Sequence, residues 1–228
     1  MSMKRLTTIL LLIISCVAFN KAVAQESTYK FDMGGQIGMS GYLGDASSSI
    51  FSHPGFAGGL TFRYLPDVRW SLRTLANVLA ISGDTKGMDD VYPDFANFNF
   101  KATVIELQER VEFNFFPYGI GETYKRLRRW TPYLAAGIGF SVSTCSGQTN
   151  AGFNIPMAFG FKYKAKPRLN LALEFSMTKV FSDHMDGKLS DLHRIESSFA
   201  RNTDWYSNIS FSVTYEFGER CETCHYVD

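Results

Sequence analysis

Bulky apolar side chains recur at every second position through much of this chain, and the residues between them are small, polar or charged. A period of two marks β-strands, because successive side chains point to opposite faces. Eight such runs can be traced. Tyr29, Phe31, Met33, Ile37 and Met39 alternate with Lys30, Asp32, Gly34, Gln36, Gly38 and Ser40. Phe56, Leu60, Phe62 and Tyr64 oppose Ala57, Gly59, Thr61 and Arg63. Trp70, Leu72, Ala76 and Val78 oppose Ser71, Arg73 and Asn77, although Leu75 and Leu79 also fall on the polar side. Ile105, Leu107, Val111, Phe113 and Phe115 oppose Glu106, Gln108, Arg110, Glu112 and Asn114, and Glu109 breaks the apolar set in a way that suggests a bulge. From Trp130 onward, Leu134, Ala136, Ile138 and Phe140 oppose Tyr133, Gly137, Gly139 and Ser141. The last three runs carry Ile155 to Tyr163, Leu169 to Met177 and Ile209 to Phe217 on one face. Lys162, Glu174 and Glu216 lie on the other.

The sense of this alternation decides the fold class. A soluble lipocalin-like barrel has the same period with its apolar side chains inside. Here the bulky sets alternate with Gly, Ser and charges, aromatics make up 15% of the chain, and Trp70, Trp130, Trp205, Tyr64 and Tyr163 sit near strand ends. Aromatic girdles at both interfaces and an apolar outer band are what lipid demands of a barrel. Past the first residues no apolar stretch is long enough for a spanning helix, so membrane insertion requires a closed barrel. The expectation is an all-β fold: an eight-stranded antiparallel transmembrane β-barrel of the outer-membrane type over residues 25–217.

Residues 1–24 read as a signal peptide. Lys4 and Arg5 precede an apolar stretch from Ile9 to Phe19, and Ala22-Val23-Ala24 suits cleavage before Gln25. A lipoprotein signal leading to Cys16 is the rival reading. An exported chain with eight strands places both termini in the periplasm. Outer loops are expected at about 43–54, 82–102, 144–152 and 182–203, and inner turns at about 66–68, 117–129 and 164–168. The middle turn carries Lys125, Arg126, Arg128 and Arg129, and the next one Lys164, Lys166 and Arg168. This basic collar reads either as solvated turns meeting lipid phosphates or as a docking surface for an acidic periplasmic partner. A net charge of +1 gives no reason to invoke nucleic acid.

An eight-stranded barrel is only wide enough for its own side chains to fill. The predicted lumen holds Lys30, Asp32, Arg63, Arg73, Glu106, Arg110, Glu112, Lys162, Glu174 and Glu216. Charges of both signs must pair there, because an unpaired buried charge costs several kcal/mol. The lumen therefore reads as a polar plug rather than a selective pore. His53, His184, His193 and His225 form no nucleophile–base arrangement with a serine on a predicted strand. Neither catalysis, a cofactor nor a metal is expected. Cys145 is placed in an outer loop, with Cys221 and Cys224 in a periplasmic tail over 218–228. A disulfide needs Cα atoms within about 7 Å, so Cys145 cannot reach the tail across a hydrocarbon core about 30 Å thick. The tail cysteines leave three readings open: a local Cys-x-x-Cys bridge, metal binding, or a bond to a partner's cysteine.

Gly41-Tyr42-Leu43-Gly44-Asp45, Pro132-Tyr133-Leu134-Ala135-Ala136-Gly137-Ile138-Gly139, and Phe153-Asn154-Ile155-Pro156 with Gly160-Phe161-Lys162-Tyr163 follow one another in order. Asp183 to Asp186 and the closing Tyr215-Glu216-Phe217-Gly218 complete the series. In this order the chain resembles the PorG family, outer-membrane barrels of the type IX secretion and gliding-motility machinery of Bacteroidetes-type bacteria. The resemblance implies a non-catalytic outer-membrane component that anchors a periplasmic ring of PorK-like lipoprotein and its PorN-like partner. It would place the contact on Lys125 to Arg129 and on the tail, with Cys221 or Cys224 able to form an intermolecular disulfide. The alternative is a general small barrel of the OmpX or OmpA kind, an adhesin or surface shield acting through its outer loops.

Overall fold

The computed structural model describes residues 28–43, 54–84, 99–121, 126–145, 148–181 and 205–220. They form eight strands: β1 (Tyr29–Leu43), β2 (Gly55–Tyr64), β3 (Trp70–Asp84), β4 (Asn99–Asn114), β5 (Trp130–Cys145), β6 (Gln148–Lys166), β7 (Leu169–Val180) and β8 (Trp205–Glu219). Each strand pairs antiparallel with its sequence neighbours, and β1 pairs with β8 to close the barrel. Closure leaves no unpaired strand edge, which is what allows a sheet to cross lipid. The signal segment, the histidines, Lys125, Cys221 and Cys224 lie outside the described residues.

Wall parity follows the period-two pattern. Met33, Ile37, Met39, Leu60, Val78, Leu107, Ile138, Phe153 and Leu173 face outward and are exposed. Their sequence neighbours Asp32, Gln36, Asn77, Glu106, Asn154 and Glu174 are buried inside. Trp70 and Trp130 stand outward at the end where β1 begins and β8 ends, here called the base, paired with Phe113 and Tyr163. A sheet with charges inside and an apolar outer wall between aromatic belts fits hydrocarbon rather than water. This is an eight-stranded antiparallel barrel of the outer-membrane type.

Several local expectations are corrected. Glu109 causes no bulge: it stays in continuous register with Thr74 of β3 and Ile138 of β5. Cys145 is not in a loop. It ends β5 opposite Gln148 of β6 and is buried in the lumen. β6 runs on to Lys166, with an irregularity at 164–166, so Lys164 joins the lumen instead of the rim. Lys30, at the very start of β1, is exposed rather than buried in the lumen. Midway along β6, Pro156 has no N–H to give, and the β5–β6 ladder skips Gly137 and Ile138 there.

Close approach of the β8 backbone accounts for a glycine on the inner side of β1. A Cβ built on Gly34 would come within 2.0 Å of the Val213 carbonyl oxygen of β8, an overlap with backbone that no rotamer relieves. On Gly35, the next residue and outward-facing, the nearest contact is an ordinary 3.7 Å. Gly34→Val is therefore expected to prevent barrel closure, and Gly35→Ala to leave it intact. Heat-dependent mobility of the unboiled protein on a denaturing gel separates the two.

Candidate functional site

The interior is built around one carboxylate. Glu112 comes inward from β4 near the base, where Arg63 of β2, Arg73 of β3 and Lys162 of β6 converge on it. Arg63 Nε donates to both its oxygens at 3.1 and 3.2 Å, Arg73 Nη1 lies at 3.0 Å, and Lys162 Nζ also bonds it. Ser71 Oγ donates a further hydrogen bond of 2.8 Å. The surplus positive charge is met by the neighbouring carboxylates. Arg73 Nη2 reaches Glu174 of β7 at 2.7 Å, and Arg110 Nη1 reaches it at 2.9 Å. Tyr133 donates its phenol to the same group. Arg63 Nη1 lies 3.4 Å from Asp32, which also accepts from Thr214 Oγ1 at 2.9 Å and Asn170 Nδ2 at 3.0 Å. Lys164 Nζ pairs with Glu216 at 2.5 Å.

Of the ten charged residues expected in the lumen, Asp32, Arg63, Arg73, Glu106, Arg110, Glu112, Lys162, Glu174 and Glu216 are buried, and Lys30 is exposed. With Lys164 added, five carboxylates face five cations. Glu106 sits higher and has no cation bonded to it. It accepts from Asn77 Nδ2 at 2.7 Å, Gln108 Nε2 at 2.8 Å and the Tyr206 phenol. Asp32 Oδ1 and Arg63 Nη2 lack a protein partner, and both residues line a base-side cavity of about 40 Å³, room for one or two waters.

Toward the opposite end the lumen gains an apolar cluster. Ala57, Leu79, Ile81, Ala102, Val104, Cys145 and Val180 pack together with the ring of Tyr206, whose hydroxyl points back to Glu106. Buried Ser143, Asn154, Thr178 and Asn208 lie among these apolar groups, so side chains of both kinds fill this part of the lumen. Sequence reasoning missed this second layer because Val104 and Val180 precede or follow runs in which both faces are apolar.

The described parts of the long turn between β4 and β5, residues 115–121 and 126–129, fold over the base. Gly119 N donates to Arg128 O at 3.0 Å and Arg128 N to Pro117 O at 2.8 Å. Tyr118 N donates to Val68 O at 3.2 Å, and its phenol enters the mouth to donate to Asn170 Oδ1 at 2.8 Å. Burial, with Glu216 nearby, pushes that phenol above its ordinary range, so it stays a donor well into alkaline conditions. Arg126 adopts a left-handed φ of 50°, and the Arg128 guanidinium stacks 4.4 Å from the Phe116 ring centre. Arg126, Arg128 and Arg129 thus decorate an ordered cap, while Arg168 is exposed on the next turn between the Tyr29 and Tyr215 hydroxyls. Among the described residues, no group of His, Cys, Asp or Glu is arranged to hold a metal.

Removing one partner of a buried pair strands the others, typically at about 3–5 kcal/mol. Glu112→Gln is expected to lose about that much against urea in lipid vesicles, because three cations face the lost charge. Arg168→Ala, at an exposed pair with Glu219, should leave the unfolding midpoint unchanged.

Among solved structures the chain is similar to Neisserial surface protein A (12% identity over 82% of this chain and 97% of that one, TM-score 0.49). It is also similar to OprG of Pseudomonas aeruginosa (11%, 85% and 98%, TM-score 0.46) and Ail of Yersinia pestis (9%, 82% and 99%, TM-score 0.46). No curated protein matches it. The family model described as "Domain of unknown function (DUF6089)" matches residues 4–226, nearly the whole chain, and the protein belongs to that family.

Proposed function

We propose that this protein is a non-catalytic integral component of the outer membrane whose barrel serves as an anchor. Its working surfaces are at its ends, not in its lumen. The observation that carries this reading is the filled interior: paired charges occupy the base half, and an apolar cluster with small buried polar side chains the other. Such a barrel neither conducts nor encloses a ligand of useful size.

On the PorG resemblance, the partner is the periplasmic ring of the type IX secretion machinery, with the base and both chain termini on the periplasmic side. The ordered cap over 115–121 and 126–129 supports this. It presents Arg126, Arg128 and Arg129 on a backbone held by hydrogen bonds, which lowers the entropy lost on docking an acidic surface. Lys125, Cys221 and Cys224 belong to the same proposal: Lys125 adds to the cap's charge, and one tail cysteine forms the intermolecular disulfide. The other reading is a general small outer-membrane barrel working through its outer loops, which the closed eight-stranded barrel fits equally well.

Replacing residues 85–98 between β3 and β4 separates the two. Secretion should survive the exchange under the anchor reading, whereas an adhesin would lose its binding. Envelopes from wild type and from a Cys221→Ala, Cys224→Ala double mutant, run on non-reducing gels, should differ by a reducible higher-mass band containing a ring lipoprotein. Its absence in wild type would remove the disulfide. In planar bilayers the purified barrel is expected to show no stable conductance steps, and open channels would sink the sealed-anchor reading altogether.

A further inference from the structure

One side chain contradicts the wall it belongs to. Glu109 faces outward from β4 and is partly exposed. Among the described residues it is the one carboxylate on the outer wall between the aromatic base and the level of Lys101. Phe113, paired with Trp70, lies four residues below it on the same strand, and Lys101 lies eight residues above. Four residues on a tilted strand put Glu109 about 10 Å from the base girdle, within an apolar band about 25 Å tall. Its surroundings are Leu72, Ala76, Leu107, Val111, Ala136 and Ile138, all apolar. The one hydrogen bond it makes is from Thr74 Oγ1, its cross-strand partner, at 2.7 Å to Oε2.

Beside this pair the wall is hollow. Met33, Leu60, Phe62, Thr74 and Ala76 border an apolar groove of about 290 Å³ across β1, β2 and β3. Thr74 thus touches both features: its hydroxyl serves Glu109 and its side chain lines the groove. On another part of the wall, Trp130, Phe161, Tyr163, Leu171, Leu173 and Phe211 border a groove of about 310 Å³ with no carboxylate beside it. Lipid chains suffice to fill that second groove. They do not suffice for the first, since an acyl chain has no donor to give and a headgroup does not reach this depth.

We propose that the Thr74–Glu109 pair and the adjoining groove form a lateral docking site, within the membrane, for a spanning segment of a different protein that brings a lysine or arginine to Glu109 and an aliphatic side chain to the groove. Charge complementarity selects this occupant. A symmetric contact between two copies would set Glu109 against Glu109. The basic side chain nearest that level on the described outer wall, Lys179 of β7, is buried with its ammonium against the Phe181 and Trp205 rings, so an asymmetric contact has no exposed cation to use. A desolvated ion pair in hydrocarbon is strong only when both members are present, so the site favours association over exposure to lipid. This contact is independent of the base cap and of the ring-anchoring role.

The experiment uses the full chain in native envelopes, with a benzophenone amino acid at Ala76 and, as a control, at Leu173. A protein adduct is expected at Ala76 and not at Leu173, with a lysine or arginine in the adducted spanning segment. Glu109→Leu should reduce its yield at least fivefold, and reversing that partner charge to glutamate should restore the adduct in Glu109→Lys. Heat-dependent gel mobility checks that the variants fold, and Glu109→Gln, which keeps the shape and loses the charge, is expected to behave as Glu109→Leu does. In purified form, Glu109→Leu should shift the urea midpoint upward in lipid vesicles, because a charge leaves the lipid face. An adduct insensitive to Glu109, an adduct to lipid alone, a dimer of this chain, or a lowered midpoint in Glu109→Leu would each overturn the proposal.

Discussion

The convergence of Arg63, Arg73 and Lys162 on Glu112 is the interaction on which the interior depends. Four strands contribute to it, so the charge pairing fixes their register as firmly as the backbone ladder does. Sliding any one strand by a single residue would turn its charge toward lipid and leave the other three groups unmatched. Because the lumen has no bulk water to share, each cation needs a partner built into the wall. Four carboxylates, Asp32, Glu112, Glu174 and Glu216, pair with the five cations and meet that requirement. The second network, around Glu106, uses phenol and amide donors in place of cations.

The two ends of the lumen are closed by different physics. At the base, Tyr118 reaches from the folded turn into the mouth and hydrogen-bonds Asn170, with the Lys164 ammonium 5.3 Å from its ring centre. At the far end, Leu79, Ile81, Val104 and Val180 exclude water by packing. Tyr206 joins the layers, its ring in hydrocarbon and its hydroxyl on the polar network. The closed interior moves attention to the surfaces: the cap at the base and the polar spot at Glu109 on the wall.

Strand number, wall parity and the charged side chains of the lumen could be read from the sequence because a barrel imposes one rule on every strand, and the rule has the shortest possible period. Arg63, Glu112 and Glu174 stand out since a charge inside a run of bulky apolar alternation has only one place to go. Legibility fails where that contrast fades. Leu79 could be placed inside by its parity with Asn77, but around Val104 both faces are apolar, so hydropathy does not distinguish inside from outside. Lys164 was assigned to the rim because lysines beside a Pro resemble a turn, whereas β6 continues to Lys166. Tyr206 was missed because β8 begins before its alternation becomes regular. The cap's internal hydrogen bonds are invisible to any periodicity, since the turn has none. Glu109 looked like a strand defect when read alone, and only its continuous register shows it to be a polar group set into an intact wall.

The seam between β1 and β8 joins Tyr29 to Glu219 at one end and Leu43 to Trp205 at the other, making it longer than the pairing of β1 with β2. Its two strands are the first and last of the barrel. Contacts so distant along the chain are slow to form, because the intervening polypeptide must be gathered before they contribute anything. The glycine-lined strand therefore waits, with its hydrogen-bonding edge unsatisfied, until the carboxy-terminal strand has been synthesised and delivered. A truncated or stalled polypeptide would be left as an open ribbon with a sticky margin, which makes completion of translation a prerequisite for safe insertion.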